Sequence, residues 1–249
     1  MRTSMLTSTF ALLLIGMSVS ATVITVSNNP NSPGQYASLQ EAIDAANPAD
    51  TLYVSGSNSD YGVINITKKL TLVGAGYHPN TQFGYGTYIG SLSFNIEFDG
   101  ESNPVSNPSE SVIMGFIFGY LTVDGNEIND ITIERNWIAY FQFTTHSSKN
   151  YNNWIIRNNI IGQLLEDRWD GAIRTSNFII ANNILLNGFS NFNSNSLILI
   201  NNLLAQDFGF YQISYAIICN NIFYEVSTGG ESYQCNYCTF NNNISFGGG

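Results

Sequence analysis

From Ile131 to Ile244 the apolar positions fall into short aliphatic runs, each cut by a polar pair that is usually two asparagines. The successive versions are "IERNWI", "WIIRNNII", "FIIANNIL", "LILINNLL", "AIICNNIF" and "FNNNIS". With the second asparagine of each taken as position zero, the units sit at Asn136, Asn159, Asn183, Asn202, Asn221 and Asn243, spaced 23, 24, 19, 19 and 22 residues apart. Self-similarity at that period predicts a solenoid, in which each unit buries its apolar face only by stacking on its neighbours.

Aligned this way, positions −5, −3 and +1 are apolar in every unit, and the step of two is the period of a β-strand. These columns are expected to face inward, which places both Trp154 (−5) and Trp137 (+1) in the core. Position −4 (Thr132, Ile155, Ile179, Ile198, Ile217 and Thr239) is then a β-branched outer face. Glu134 and Arg157 share position −2 in adjacent coils. A surface ion pair there would contribute no more than about 1 kcal/mol. The asparagines suit the bend between strands, since Asn tolerates the left-handed backbone conformation. Coils stacked about 4.8 Å apart also bring each amide under the next, so a ladder of side-chain hydrogen bonds is expected. Rows of exposed asparagine that bind ice or sugar are the alternative, which a turn role makes unnecessary.

Upstream, "ATVITVSNN" reads as a first strand, and "YASLQEAIDAANPAD" as a short helix. Ser38 and Glu41 are spaced as a capping box, Leu39, Ala42, Ile43 and Ala46 share one face, and Asn47-Pro48 stops the helix. "TLYVSG", "YGVINITKKLTLVGAG", "YIGSLSFNIEF" and "SVIMGFIFGYLTV" are further strand-like runs of coil length.

Composition changes the picture in three ways. The 249 residues are 44% hydrophobic and only 10% charged, so asparagine, serine, threonine and glycine supply the polarity. A net charge of −10 argues against nucleic acid, which needs a basic stripe, and mildly against anionic polysaccharides. The start, "MRTSMLTSTFALLLIGMSVSA", has an Arg, an apolar core and small residues before Ala21. Residues 1–20 therefore read as a signal peptide and 21–249 as one exported domain. No other apolar run approaches the length of a membrane span. Three cysteines make no disulfide framework. "CNYC" (Cys235 and Cys238) has the spacing to close a small loop, but small apolar thiols in a strand-rich interior are the plainer expectation for Cys219, Cys235 and Cys238. A zinc site lacks partners, as the only histidines are His78 and His146.

"SLQEAIDAANPADTLYVSG" followed by "YGVINITKKLTLVGAG" resembles the amino-terminal cap and first coils of secreted β-helix proteins of the pectate-lyase-like superfamily. The Asn-Asn-aliphatic units resemble its asparagine ladder, and together they cover roughly residues 22–246. Ala49 departs from the family's Pro-Gly-Asp turn. The resemblance implies an all-β, right-handed parallel β-helix with a short N-terminal capping helix. Its coils would each take up one sequence unit, ~19–24 residues. The sequence stops inside what reads as the next coil, so the C-terminal cap is expected to be missing or truncated. Truncation is favoured over a further domain or a partner covering the open end.

The superfold carries many activities, so function must be argued from a site. The resemblance implies calcium held by acidic residues, but no acidic cage is evident, and no cofactor or metal ligand is assigned. The densest charge is "EDRWDGAIR" (166–174), expected after a coil's third strand and leading into the next turn, where the family binds substrate. Trp169 offers an apolar face to a sugar ring, and Arg168, Asp170 and Arg174 offer hydrogen-bonding charge, with Arg174 and Asp170 the catalytic candidates. His146 and Lys149, one coil earlier, are candidates to border the same substrate groove, with an ordinary surface histidine the simpler account. A wet, solvated loop is the plainer reading. The expectation is therefore a secreted carbohydrate-binding or cell-surface scaffold module without its own chemistry. The alternative is a polysaccharide lyase or glycoside hydrolase acting on an extracellular polysaccharide.

Overall fold

The protein is described by a computed structural model covering residues 21–76, 85–99, 101, 103–125, 127–144, 150–166, 174–187, 189–206, 208–225 and 234–247. Its strands stack in parallel, coil upon coil, as the repeat predicts. A ten-stranded first sheet begins with Val23–Val26, Thr51–Val54 and Thr71–Gly74, then takes up the three-residue runs just before each asparagine pair. A fourteen-stranded second sheet collects the strands after each pair, together with a third wall formed by Asn150–Asn152, Arg174–Ser176 and their successors. The register is strict: Thr132 pairs with Ile155, Ile155 with Ile179, Ile179 with Ile198 and Ile198 with Ile217. Among the described residues the only antiparallel pairing is a small ribbon of Glu97–Phe98 on Pro104–Ser106.

The helix Leu39–Ala45 forms where the capping pattern places it, with the Ser38 side chain accepting from the Glu41 N–H. Leu39, Ala42 and Ile43 join the core beneath it. In the Pro48-Ala49-Asp50 turn that follows, Ala49 has φ +74°. That is the left-handed region that glycine favours. Asp50 secures the turn by accepting from the Thr22 and Asn47 N–H groups at 2.7 and 2.8 Å.

The asparagine pair divides its labour. The first member (Asn158, Asn182, Asn201, Asn220 and Asn242) is exposed and left-handed, with φ between +52° and +57°. The second is buried from Asn136 to Asn221 and forms the ladder. From Asn159 onward each Oδ1 accepts both the backbone N–H and the Nδ2 of the previous coil's asparagine, as in Asn159 to Asn183 at 2.9 and 3.1 Å, while Asn136 Oδ1 accepts the Phe116 N–H. Each Nδ2 also donates to a core-strand carbonyl, Asn183 to Ile156 O at 2.8 Å.

The left-handed residue turns the chain over, and that corrects the +1 column. Trp137, Ile184, Leu203 and Ile222 point outward, 37–40% exposed, while position +2 (Ile138, Ile161, Leu185 and Leu204) is buried. Trp137 is therefore a surface residue. Trp154 is fully buried, as expected, with its Nε1 donating to Ile128 O. Two further expectations change. Glu134 is buried within the wall instead of lying on the surface. Cys235 and Cys238 are joined as a disulfide, leaving Cys219 free and half-buried.

Candidate functional site

Two adjacent coils, 112–143, carry side chains that the regular columns do not explain. At the corner between the sheets, Gly115 and Phe116 stand where later coils have the asparagine pair, and Arg135 stands where they have the first asparagine. Gly115 is left-handed at φ +81°, and a Cβ there would come within 2.7 Å of the Gly74 carbonyl oxygen. Glycine is thus required by the close approach of two coils. The corner keeps a hollow of about 440 Å³, lined by Gly74, Gly76, Met114, Gly115, Arg135 and Asn158 among others, and a Cβ at Gly76 would meet only open space.

Beside the hollow lies a charge cluster. Glu134 Oε1 accepts from Arg135 Nη2 at 2.8 Å, and Glu134 Oε2 from Arg157 Nε at 2.5 Å. Burial raises the tendency of this carboxyl to stay protonated, but the hydrogen bonds and charges of the two guanidinium groups outweigh it and hold its pKa below the usual range. Glu134 serves to fix two exposed arginines, 65% and 49% accessible at their side chains.

Around the corner on the second sheet, the same coils expose aromatic side chains. Tyr120 and Tyr140 are paired in register and stack with centroids 4.9 Å apart and planes 13° apart. Their neighbours in that row are Ser91 and Gln163, both smaller. The pair therefore stands as a fin with an aromatic face over a small residue at each end and two hydroxyl groups at its crest. Trp137 is in the same strand as Tyr140, Trp137–Phe143.

Of the residues singled out from sequence, Arg168, Trp169 and Asp170, with His146 and Lys149, lie outside the described residues. Arg174 opens the strand Arg174–Ser176, in register with Asn150–Asn152. The charged segment consequently joins a coil's second strand, Ile160–Glu166, to its third, instead of following the third. Among the described residues no three His, Cys, Asp or Glu side chains come together as a metal site requires. The tyrosine fin escaped the sequence reading, although Tyr120 and Tyr140 occupy the same offset from the corner and could have been aligned. A second amide column was also legible: Asp130, Asn153 and Asn177, all at −6 and all left-handed, are linked by Nδ2–Oδ1 bonds of 2.9 and 3.0 Å.

No family model matches the chain, and no curated protein matches it. Among solved structures it is similar to a GH136 lacto-N-biosidase from Eubacterium ramulus, at 10% identity and a TM-score of 0.48, covering 90% of this chain and 56% of that one. The chain thus spans little more than half of that protein's length. It is also similar to the pectin methylesterase from Aspergillus niger, at 13% identity and a TM-score of 0.35, covering 92% of this chain and 87% of that one. Among the described residues no helix is long and apolar enough to cross a membrane. On the strength of its own strand order and register, the chain is a parallel β-helix protein.

Proposed function

We propose that this chain is an exported β-helix module that binds an extracellular polysaccharide along the outer face of its middle coils, without chemistry of its own. The observation that carries this reading is the exposure of Trp137, Tyr120 and Tyr140 on two adjacent coils, 37%, 49% and 41% respectively. Aromatic rings combine a large apolar face with polar edges, the mixture that a sugar ring offers in return. Cross-strand stacking of Tyr120 on Tyr140 contributes only about 0.2–1 kcal/mol to the sheet, so stability alone is a modest reason for the fin. Export is supported by the N-terminal sequence pattern and by the Cys235–Cys238 disulfide. Such bonds persist in oxidising compartments.

The test is a polysaccharide array on the wild type, on Trp137→Ala with Tyr140→Ala, and on Trp169→Ala. Loss of signal in the double variant supports the proposal. Loss only in Trp169→Ala moves the site to residues 167–173, and no signal with any polysaccharide leaves an inert scaffold. Product analysis on the same panel covers the catalytic alternative: new unsaturated or reducing ends, abolished by Arg174→Ala or Asp170→Asn, would establish lyase or hydrolase activity.

A further inference from the structure

We infer that the corner hollow beside Arg135 is a binding site for a small oxyanion-bearing molecule, one presenting a carboxylate or a sulfate group. It does not rest on the polysaccharide reading, because neither Trp137 nor the tyrosine fin lines it.

The argument begins with charge. Two guanidinium groups share the single Glu134 carboxylate, leaving one net positive charge at this corner of a chain whose overall charge is −10. The carboxylate engages one nitrogen of each arginine, Nη2 of Arg135 and Nε of Arg157. Among the described residues the only other contact of the Arg135 guanidinium is Nη2 to the Met114 sulfur at 3.6 Å. Its Nε and Nη1 donors bond to no described group. Each of these donors can give one charge-assisted hydrogen bond to an oxygen of a carboxylate or a sulfate.

Position comes next. Arg135 has a left-handed backbone at φ +54°, like the first asparagine of each later pair, so its side chain leaves the wall at a fixed point. Buried Glu134 then holds the guanidinium in place. A donor fixed before binding loses little further freedom when a ligand arrives.

Room is the third element. The hollow, about 440 Å³, is of a size that small-molecule pockets commonly have. Gly115 sits against the Gly74 carbonyl of the neighbouring coil, so no larger side chain can fill the space from there. Asn158 adds an amide on the side of the next coil, and Met114 adds an apolar patch for the carbon skeleton behind the charged group. In the later coils Asn182, Asn201 and Asn220 occupy the arginine's position, and the cluster is absent.

The experiment is calorimetric titration of the full chain with sodium glucuronate, with sodium sulfate and glucose in parallel. Glucuronate is expected to bind, more weakly as salt rises, and glucose is not. Arg135→Gln should weaken binding about tenfold or more, the loss of charge-assisted hydrogen bonds. Ala75→Trp, which fills the hollow from its rim and leaves both arginines intact, should abolish binding without lowering the melting temperature. Ile222→Ala, an exposed change on a regular coil, should leave it unchanged. Competition by sulfate identifies the bare oxyanion as the recognised group, and its failure to compete confines recognition to the carboxylate. Absence of glucuronate binding overturns the proposal, as does equal binding of glucose or indifference to both Arg135→Gln and Ala75→Trp.

Discussion

The coils from Val112 to Glu166 and those from Phe178 to Glu225 share one backbone plan and differ in charge, at the corner and along position +1, although Tyr215 and Tyr224 are exposed in the later coils as well. In the later coils the corner pair is always Asn-Asn, position +1 is Ile or Leu, and residues 175–224 contain a single charged side chain, Asp207. The earlier coils keep the same register but replace corner asparagines with Gly115, Phe116 and Arg135. They place Glu134 and Arg157 at −2, and put Trp137, Tyr120 and Tyr140 on the outer face. The regular coils show what the solenoid needs for stacking, and the departures show what stacking does not explain. Repeat proteins allow this division because each coil touches only its neighbours, so one stretch can vary while the rest maintains the core.

The sharpest break between structural and dispensable positions lies within one asparagine pair. Asn183→Ala removes the acceptor of the Asn159 N–H and Nδ2 and the donor to Ile156 O, all buried. At about 1 kcal/mol or more for each unsatisfied group, a loss of at least about 3 kcal/mol is expected in denaturant unfolding. Asn182, one residue earlier, is left-handed and exposed. Asn182→Gly should therefore be within about 0.5 kcal/mol of wild type. Equal effects would mean that the ladder is ornamental.

The second break separates inward from outward apolar columns. Leu185→Ala should destabilise by about 2–4 kcal/mol as a core cavity. Ile184→Ala, 38% exposed in the adjacent position, should cause a much smaller loss. In the earlier coils, Glu134→Ala should cost about 2 kcal/mol, since two paired arginines lose their common partner. Here pH sharpens the comparison. The two arginines hold the folded pKa of Glu134 below its ordinary value, which is about 4.3 for an unfolded chain. Its contribution is thus fully present above that unfolded value and is lost as pH falls through the folded one. The stability gap between wild type and Glu134→Gln should therefore be constant near neutrality and shrink on acidification below about pH 4. A gap that widens in acid would contradict the pairing. The smallest effect is expected in the N-terminal turn, where Ala49 is left-handed. Ala49→Gly should stabilise by up to about 1 kcal/mol by relieving that strain.

The repeat was legible because an asparagine pair inside an apolar run is rare enough to align by eye. Its columns then gave strand order and register. What the columns hid was direction. Counting by twos through the corner assigns +1 to the core, but the left-handed residue at −1 adds a turn of the chain that the count omits. Buried asparagine at zero is the sign of it, since Asn136 to Asn221 could be inside only if +1 were outside. Trp137 was misplaced for that reason, whereas Trp154, on the other side of the corner, was not. In sequence Glu134 looks like a surface ion because one partner, Arg157, shares its column. The second, Arg135, is its neighbour in sequence, and only the bend at that residue brings its guanidinium back onto the carboxylate. The charged stretch 166–174 is conspicuous in sequence for its density of charge. The aromatic face was inconspicuous, since tyrosine and tryptophan in strands usually signal core.

The central claim, that recognition resides in the departing coils and not in the regular ones, has one direct measurement. A polysaccharide that binds the wild type should be titrated into two triple variants of exposed apolar residues. One is Tyr120→Ser with Trp137→Ser and Tyr140→Ser, and the other is Ile184→Ser with Leu203→Ser and Ile222→Ser. Binding is expected to fall at least tenfold in the first and to stay within about twofold of wild type in the second, roughly 1.4 against 0.4 kcal/mol. Equal loss in both, or loss confined to the aliphatic triple, would contradict the claim and move recognition to the regular face.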